Sequence, residues 1–225
     1  MRKATLGIVF LMLYFAVAAA IYFASAGRTD LPLAWAYFGI NLGTGVIFSI
    51  VLERVNPGLI AERMKPGPGE QDRVFKMGTS ILMVLMMVVA GLDVGRYHWS
   101  GRVAPWLQIA ALVCVLWGYL FTAWATLTNR FFSSAVRLQG DRGQVVVDSG
   151  PYRFVRHPGY TGAIPYLAFG GLALGSWVAT LIAGVPMIVI LLRRTQLEDK
   201  MLREGLNGYK EYAARVKYRL VPGVW

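Results

Sequence analysis

The chain has 225 residues, of which 56% are apolar, and a mean hydropathy of +0.49; a soluble domain is usually about 45–50% apolar. Its net charge of +11 would suggest nucleic acid in a soluble protein, but here the cations fall between long uncharged runs, and sorting to one membrane face explains them better. A single cysteine, Cys114, excludes an internal disulfide, and one cysteine with two histidines leaves little for a His/Cys metal site.

Uncharged runs cover residues 4–27, 31–52, 77–92, 103–129 and 158–192. A bilayer core about 30 Å thick needs about 20 apolar helical residues. Four of the five runs are long enough, and Lys76 can snorkel to extend the run of 16 at 77–92. The run 158–192 is too long for one span, about 52 Å as a helix, and has Gly170, Gly171, Gly175 and Ser176 at its middle. It reads as two short spans turning near Gly175. The expectation is therefore an all-α polytopic membrane protein of about six transmembrane helices. The last two form a tight hairpin, and a cytoplasmic amphipathic helical tail follows. Residues 1–128 would hold spans one to four, and residues 129–225 the loop, hairpin and tail.

The first run follows Arg2 and Lys3 and is too long for a signal-peptide core. It reads as an apolar scaffold span, with cleavage after Ala24-Ser25-Ala26 as the alternative. The second holds Gly39 and Gly43 at GxxxG spacing, assigned to helix packing, and Asn41, expected to bond a neighbouring helix. Pro57, Gly58, Pro66, Gly67, Pro68 and Gly69 break the loop 53–76 into turns. That loop reads as a solvated connector, or else as a lid. Span three carries four methionines, read as core packing or as a flexible pocket wall. His98, in the next loop, is assigned no function. Trp106, Trp117, Tyr119 and Trp124 lie along span four, and Asn129 is placed to end it. In the loop 130–157, residues 141–143 and 148–151 read as turns, and Gln144-Val145-Val146-Val147 is extended in character. Beyond Arg193, apolar residues recur at helical spacing through Val216, and Leu206-Asn207-Gly208 should divide the tail into two helices. It would lie on the membrane surface or fold over the loop 130–157.

With six spans, 20 of the 23 Lys and Arg fall on one face, which places both termini in the cytoplasm. A bacterial inner membrane or its equivalent suits this.

The polar residues gather in two groups, Gln144 to Tyr160 and Arg193 to Asp199. Arg194 and Glu198 share a helical face, which alone reads as a surface ion pair. His157 before Pro158 alone reads as a helix start. GxGxxG, Walker A, GxSxG and HExxH motifs are absent from the sequence. A charged cofactor at the membrane surface is as far as residue chemistry leads.

The ordered set Gly150-Pro151-Tyr152, Arg156-His157-Pro158, Tyr160, Gly162, then an apolar hairpin, then Glu198-Asp199, Leu202, Tyr209 and Tyr212, resembles the isoprenylcysteine carboxyl methyltransferase family and, more widely, phospholipid N-methyltransferases. The likeness covers about residues 129–225. It implies S-adenosylmethionine bound without a Rossmann domain. By position Gln144, Val145, Val146 and Val147 would line the cofactor, with Gly150, Tyr152, His157, Pro158, Gly159 and Tyr160 completing the wall and Glu198 holding a polar group. Arg194 would face a lipid-like or small hydrophobic acceptor, its charge orienting a carboxylate. His157 and Glu198 are the candidate bases for a thiol or amine. Where the family has a Glu-Glu pair this chain has Glu198-Asp199, and the glutamine expected before the valines corresponds to Gln139 or is replaced by Arg137. The alternatives are an NADPH-dependent reductase of a sterol-like substrate and a non-catalytic membrane binding protein of the same fold. Neither a metal nor nucleic acid is expected.

Overall fold

The computed structural model describes residues 2–64, 70–133 and 135–225. Helix α1 spans Arg2–Ala26, α2 Pro32–Val55, α3 Pro57–Met64 and α4 Glu70–Leu92. The last runs on through a π-helical turn at Asp93–Tyr97. Helix α5, Pro105–Thr128, ends at Asn129, as its sequence position implies. Irregular chain follows, then α6 Pro158–Ala168, α7 Gly170–Ala173, α8 Trp177–Ala179, α9 Val185–Gly205 and α10 Tyr209–Arg215. There is no strand among the described residues; the valines after Gln144 are irregular and pair with nothing.

Five helices are long and apolar enough to cross a membrane: Leu6–Ala26, Pro32–Val55, Asp72–Tyr97, Pro105–Thr128 and Trp177–Gly205. The third is longer than its uncharged run because the helix starts among charged residues and continues past Asp93. The first hairpin arm, α6 with α7, is not among the five; Pro165 lies within α6 and the arm is interrupted at Phe169. The hairpin itself is tight. Gly175 turns it at φ +94°, a left-handed conformation that favours glycine. The Ser176 amide closes the turn by donating to the Gly171 carbonyl at 2.9 Å.

Small residues let the helices meet backbone to backbone, but not where the GxxxG spacing suggested. A Cβ on Gly39 or Gly43 would have nothing within 4 Å. Close approaches lie instead between α5 and α6, where a Cβ on Gly118 would stand 2.5 Å from the Gly162 carbonyl oxygen, and between α4 and α1, where one on Gly91 would stand 2.4 Å from the Tyr22 carbonyl oxygen. Asn41 also differs from expectation: its amide donates to Tyr37 O at 2.7 Å, within its own helix. A buried amide finds the carbonyl four residues back without needing a neighbour. The core packs Tyr22, Tyr37, Phe38, Met86, Met87 and Leu174 among α1, α2, α4 and the hairpin. Trp106, Trp117 and Trp124 face outward, as anchors in lipid would.

At one end of the bundle a buried aspartate closes the structure. Asp93 accepts from the Ser100 amide at 2.8 Å and from the hydroxyls of Ser100 and Ser176. It thereby ties α4 to the following loop and to the hairpin tip. The candidate functional residues lie at the other end.

Candidate active site

The loop 130–157 has little regular structure, and its side chains supply the bonds that a helix or sheet would have made. Asn129 Oδ1 accepts from the Phe131 amide at 2.9 Å, and its Nδ2 donates to the Tyr152 hydroxyl at 3.2 Å. Gln139 is buried, donating to Phe131 O at 2.6 Å and accepting from Arg142. The Gln139 amide donates to Gln144 Oε1 at 2.7 Å. The two turns read from sequence are 3-10 turns at Gly140–Arg142 and Gly150–Arg153.

The tail folds back over this loop. Helix α9 ends at Gly205, the chain turns at residues 206–208, and α10 begins at Tyr209, as the sequence suggested. The amides of Arg156 and His157 donate to the carbonyls of Tyr218 and Arg219 at 3.0 and 2.9 Å. The Tyr212 hydroxyl donates to Tyr152 O at 2.8 Å.

Asp199 joins loop and tail. It is 1% exposed. Arg156 Nε donates to it at 2.8 Å, Arg203 Nε at 3.0 Å, Arg219 Nε at 3.1 Å and the Tyr209 hydroxyl at 3.0 Å, and His157 Nε2 lies 3.2 Å away. Burial, and after it the Asp199 charge, raises the Tyr209 phenol well above its ordinary pKa. A buried carboxylate survives only with such partners. His157, at the start of α6, makes no side-chain cap there; its ring is turned to Asp199 instead.

In front of this cluster lies one cavity of about 480 Å³. From the loop and tail it is lined by Gln144, Val145, Val146, Val147, Tyr152 and Tyr209, with Val146 packed on Tyr209, and from the helical bundle by Tyr14, Thr79, Met83, Ala163, Tyr166 and Leu191, with Met83 and Tyr166 packed on the core. His157, Gly159, Tyr160, Arg194 and Glu198 also line it. So ten of the residues singled out from sequence do so, and Gly150 and Pro158 do not. The lining belongs to their neighbours: Gly150 turns against Thr128, and Pro158 is buried as the first residue of α6.

Arg194 and Glu198 do not form the surface pair that their spacing suggested. The Tyr160 hydroxyl stands between them, donating to Glu198 Oε2 at 2.7 Å and accepting from Arg194 Nε at 3.0 Å. Arg194 reaches Asp72 Oδ1 at 2.8 Å, and its guanidinium lies over Phe75, 4.0 Å from the ring centroid. Sequence reasoning missed Asp72, Phe75 and Asn129. Asp72 and Phe75 sit on α4, far from Arg194 in the chain, and no local pattern announces such a pairing. Arg156 was noted only as part of the motif.

The loop 53–76 is more than a connector where it is described. Leu59 on α3 is fully buried, and Glu62 is buried against Arg137, a cavity-lining residue. Residues 65–69, read as turns, lie outside the described residues. Of the four methionines in span three, Met86 and Met87 are core, Met83 lines the cavity and Met77 is exposed. His98 is exposed.

Fold and cavity together define an integral membrane protein with a buried site at the charged end of its last hairpin. Residues 109–204, a stretch that includes the hairpin and Glu198, match the model of the Isoprenylcysteine carboxyl methyltransferase (ICMT) family. It is a family of membrane methyltransferases. No curated protein matches the chain.

Proposed function

We propose that this protein is an S-adenosylmethionine-dependent methyltransferase acting on a hydrophobic, lipid-like acceptor, most suitably one bearing a carboxylate. The observation that carries this reading is a cavity with two kinds of lining. The loop and tail supply an amide and tyrosines, the helical bundle supplies a largely apolar surface with a few hydroxyls, and Arg194 and Glu198 line it as well. Its volume falls within the range of about 300–1,000 Å³ common to small-molecule sites.

The residues present fit the cofactor. Glu198 keeps acceptor capacity for an ammonium or hydroxyl beyond its bond from Tyr160. Gln144 to Val147 would form one wall. Tyr152 and Tyr160 offer aromatic faces to a sulfonium. S-adenosylmethionine, when bound, supplies an electrophilic methyl group. The task left to the protein is alignment, worth a large part of the barrier in a displacement of this kind. The bonds among Arg194, Tyr160 and Glu198 fix the positions of these groups in the cavity wall. Arg194 would orient a carboxylate, which needs no base. His157, held to Asp199, serves as a rigid wall. We place this site and both termini on the cytoplasmic side, following the distribution of Lys and Arg.

Titration calorimetry of the purified protein with S-adenosylhomocysteine, with NADPH as comparison, tests the reading. S-adenosylhomocysteine alone should bind. Glu198→Ala should weaken that binding by about tenfold or more without unfolding the protein. Binding of NADPH alone would overturn the methyltransferase reading, and unchanged affinity in the variant would remove Glu198 from the cofactor.

A further inference from the structure

Helix α4 presents one stripe to the site. Phe75, Lys76, Thr79, Ser80 and Met83 all line the cavity. With Asp72 they follow the i, i+3, i+4, i+7 spacing of a single helical face. All of them lie outside the matched segment 109–204.

Charge on this stripe is uneven. Among the basic residues lining the cavity, Arg137 is tied to Glu62 and Asp141. Arg156 and His157 are tied to Asp199, and Arg194 to Asp72. Lys76 is half-buried, and among the described residues its ammonium makes no hydrogen bond or ion pair. Asp72 balances the charge of Arg194, so Arg194 offers directed N–H groups and little net charge. Among the described residues, the positive charge not already balanced inside the cavity is that of Lys76. A half-buried ammonium without a counter-ion carries part of its desolvation cost uncompensated. A ligand anion would offset it.

We propose that Lys76 binds the anionic headgroup of the methyl acceptor, a carboxylate-bearing amphiphile, and selects it over neutral amphiphiles. This rests on the acceptor reading above. Position favours the acceptor over the cofactor. The stripe continues from Lys76 through Thr79 and Ser80 to Met83, which packs against the core of the helical bundle. The cofactor wall at Gln144 to Val147 belongs instead to the loop, where Val146 packs against Tyr209 and Tyr212. The competing account is that Lys76 merely snorkels to a phospholipid phosphate.

The test uses the full chain in nanodiscs of zwitterionic lipid, saturated with S-adenosylhomocysteine at about pH 9, where carboxylates are ionised. A nitroxide-labelled stearate and its methyl ester serve as probes, and the immobilised fraction is read by electron paramagnetic resonance. The stearate should bind about tenfold more tightly than the ester. Lys76→Gln should erase that preference and Lys76→Arg should keep it. S-adenosylhomocysteine affinity should be unchanged in both. A preference that survives Lys76→Gln would overturn the proposal and leave Lys76 to the lipid surface. Weakened S-adenosylhomocysteine binding in Lys76→Gln would overturn it in favour of the cofactor's own carboxylate. If the wild-type chain binds no S-adenosylhomocysteine, the probes are compared without it. A Lys76-dependent preference for the stearate would then support Lys76 as an anion site while the methyltransferase reading fails.

Discussion

Two buried aspartates hold the two ends of this bundle, and each is 1% exposed. Asp93 is satisfied by two hydroxyls and an amide, all neutral. Asp199 is satisfied by three arginines, a tyrosine and a histidine. The neutral set makes a compact lock at a hairpin tip. The cationic set gathers long side chains from three segments and stiffens the wall of a cavity. Of the partners of Asp199, Arg156, His157 and Tyr209 also line the cavity, so this aspartate ties the cavity wall to the fold.

The largest effect should come from Asp199→Ala. It leaves Arg156 and its neighbours buried without a counter-charge, a loss of about 3–5 kcal/mol. Thermal unfolding should show it, and S-adenosylhomocysteine binding should fall with it. Asp93→Asn should cost less, about 1–3 kcal/mol from disturbed hydrogen bonds, while ligand affinity stays as it was. If Asp93→Asn weakens binding as much as Asp199→Ala does, the two ends are coupled and the contrast between them fails. Tyr209→Phe is the mildest, at about 1 kcal/mol. It also tests a pH effect. The Tyr209 pKa is raised in the fold, so its contribution is whole below the ordinary tyrosine value of about 10 and is lost as pH climbs through the folded value. Melting curves at neutral and strongly alkaline pH should differ less in the variant than in the wild-type chain.

Much of this architecture was legible because a membrane writes itself into sequence as charge-free runs. The hairpin followed from a run too long for one span with glycines at its centre, and the break in the tail from Leu206-Asn207-Gly208. The lining residues near Gln144, Tyr152, His157 and Glu198 came from resemblance; their own spacing supported only bland readings. What stayed hidden is long-range. Gly39 and Gly43 have the spacing for close packing but, among the described residues, nothing within 4 Å to pack on. Asp72 pairs with Arg194 across more than half the chain. The charge of Asp199 announced a polar residue but could not tell a ligand contact from a tie between loop and tail. Hydropathy marked where the apolar run ends, at Leu192, and the helical spacing beyond Arg193 marked a helix in the tail, but neither showed that the two are one helix.

That continuity fixes a ruler. From Trp177 to Gly205 the chain is helical throughout, through a π-helical turn at Thr180–Gly184, and passes from the hairpin tip to the site residues. Arg194 and Glu198 therefore take their direction from the count of residues since the turn. One residue inserted or deleted in that stretch would swing both by about 100° around the helix axis, away from Tyr160 and out of the cavity. Lineages of this protein should tolerate length changes in the loops at either end, and keep the distance from Trp177 to Asp199 constant.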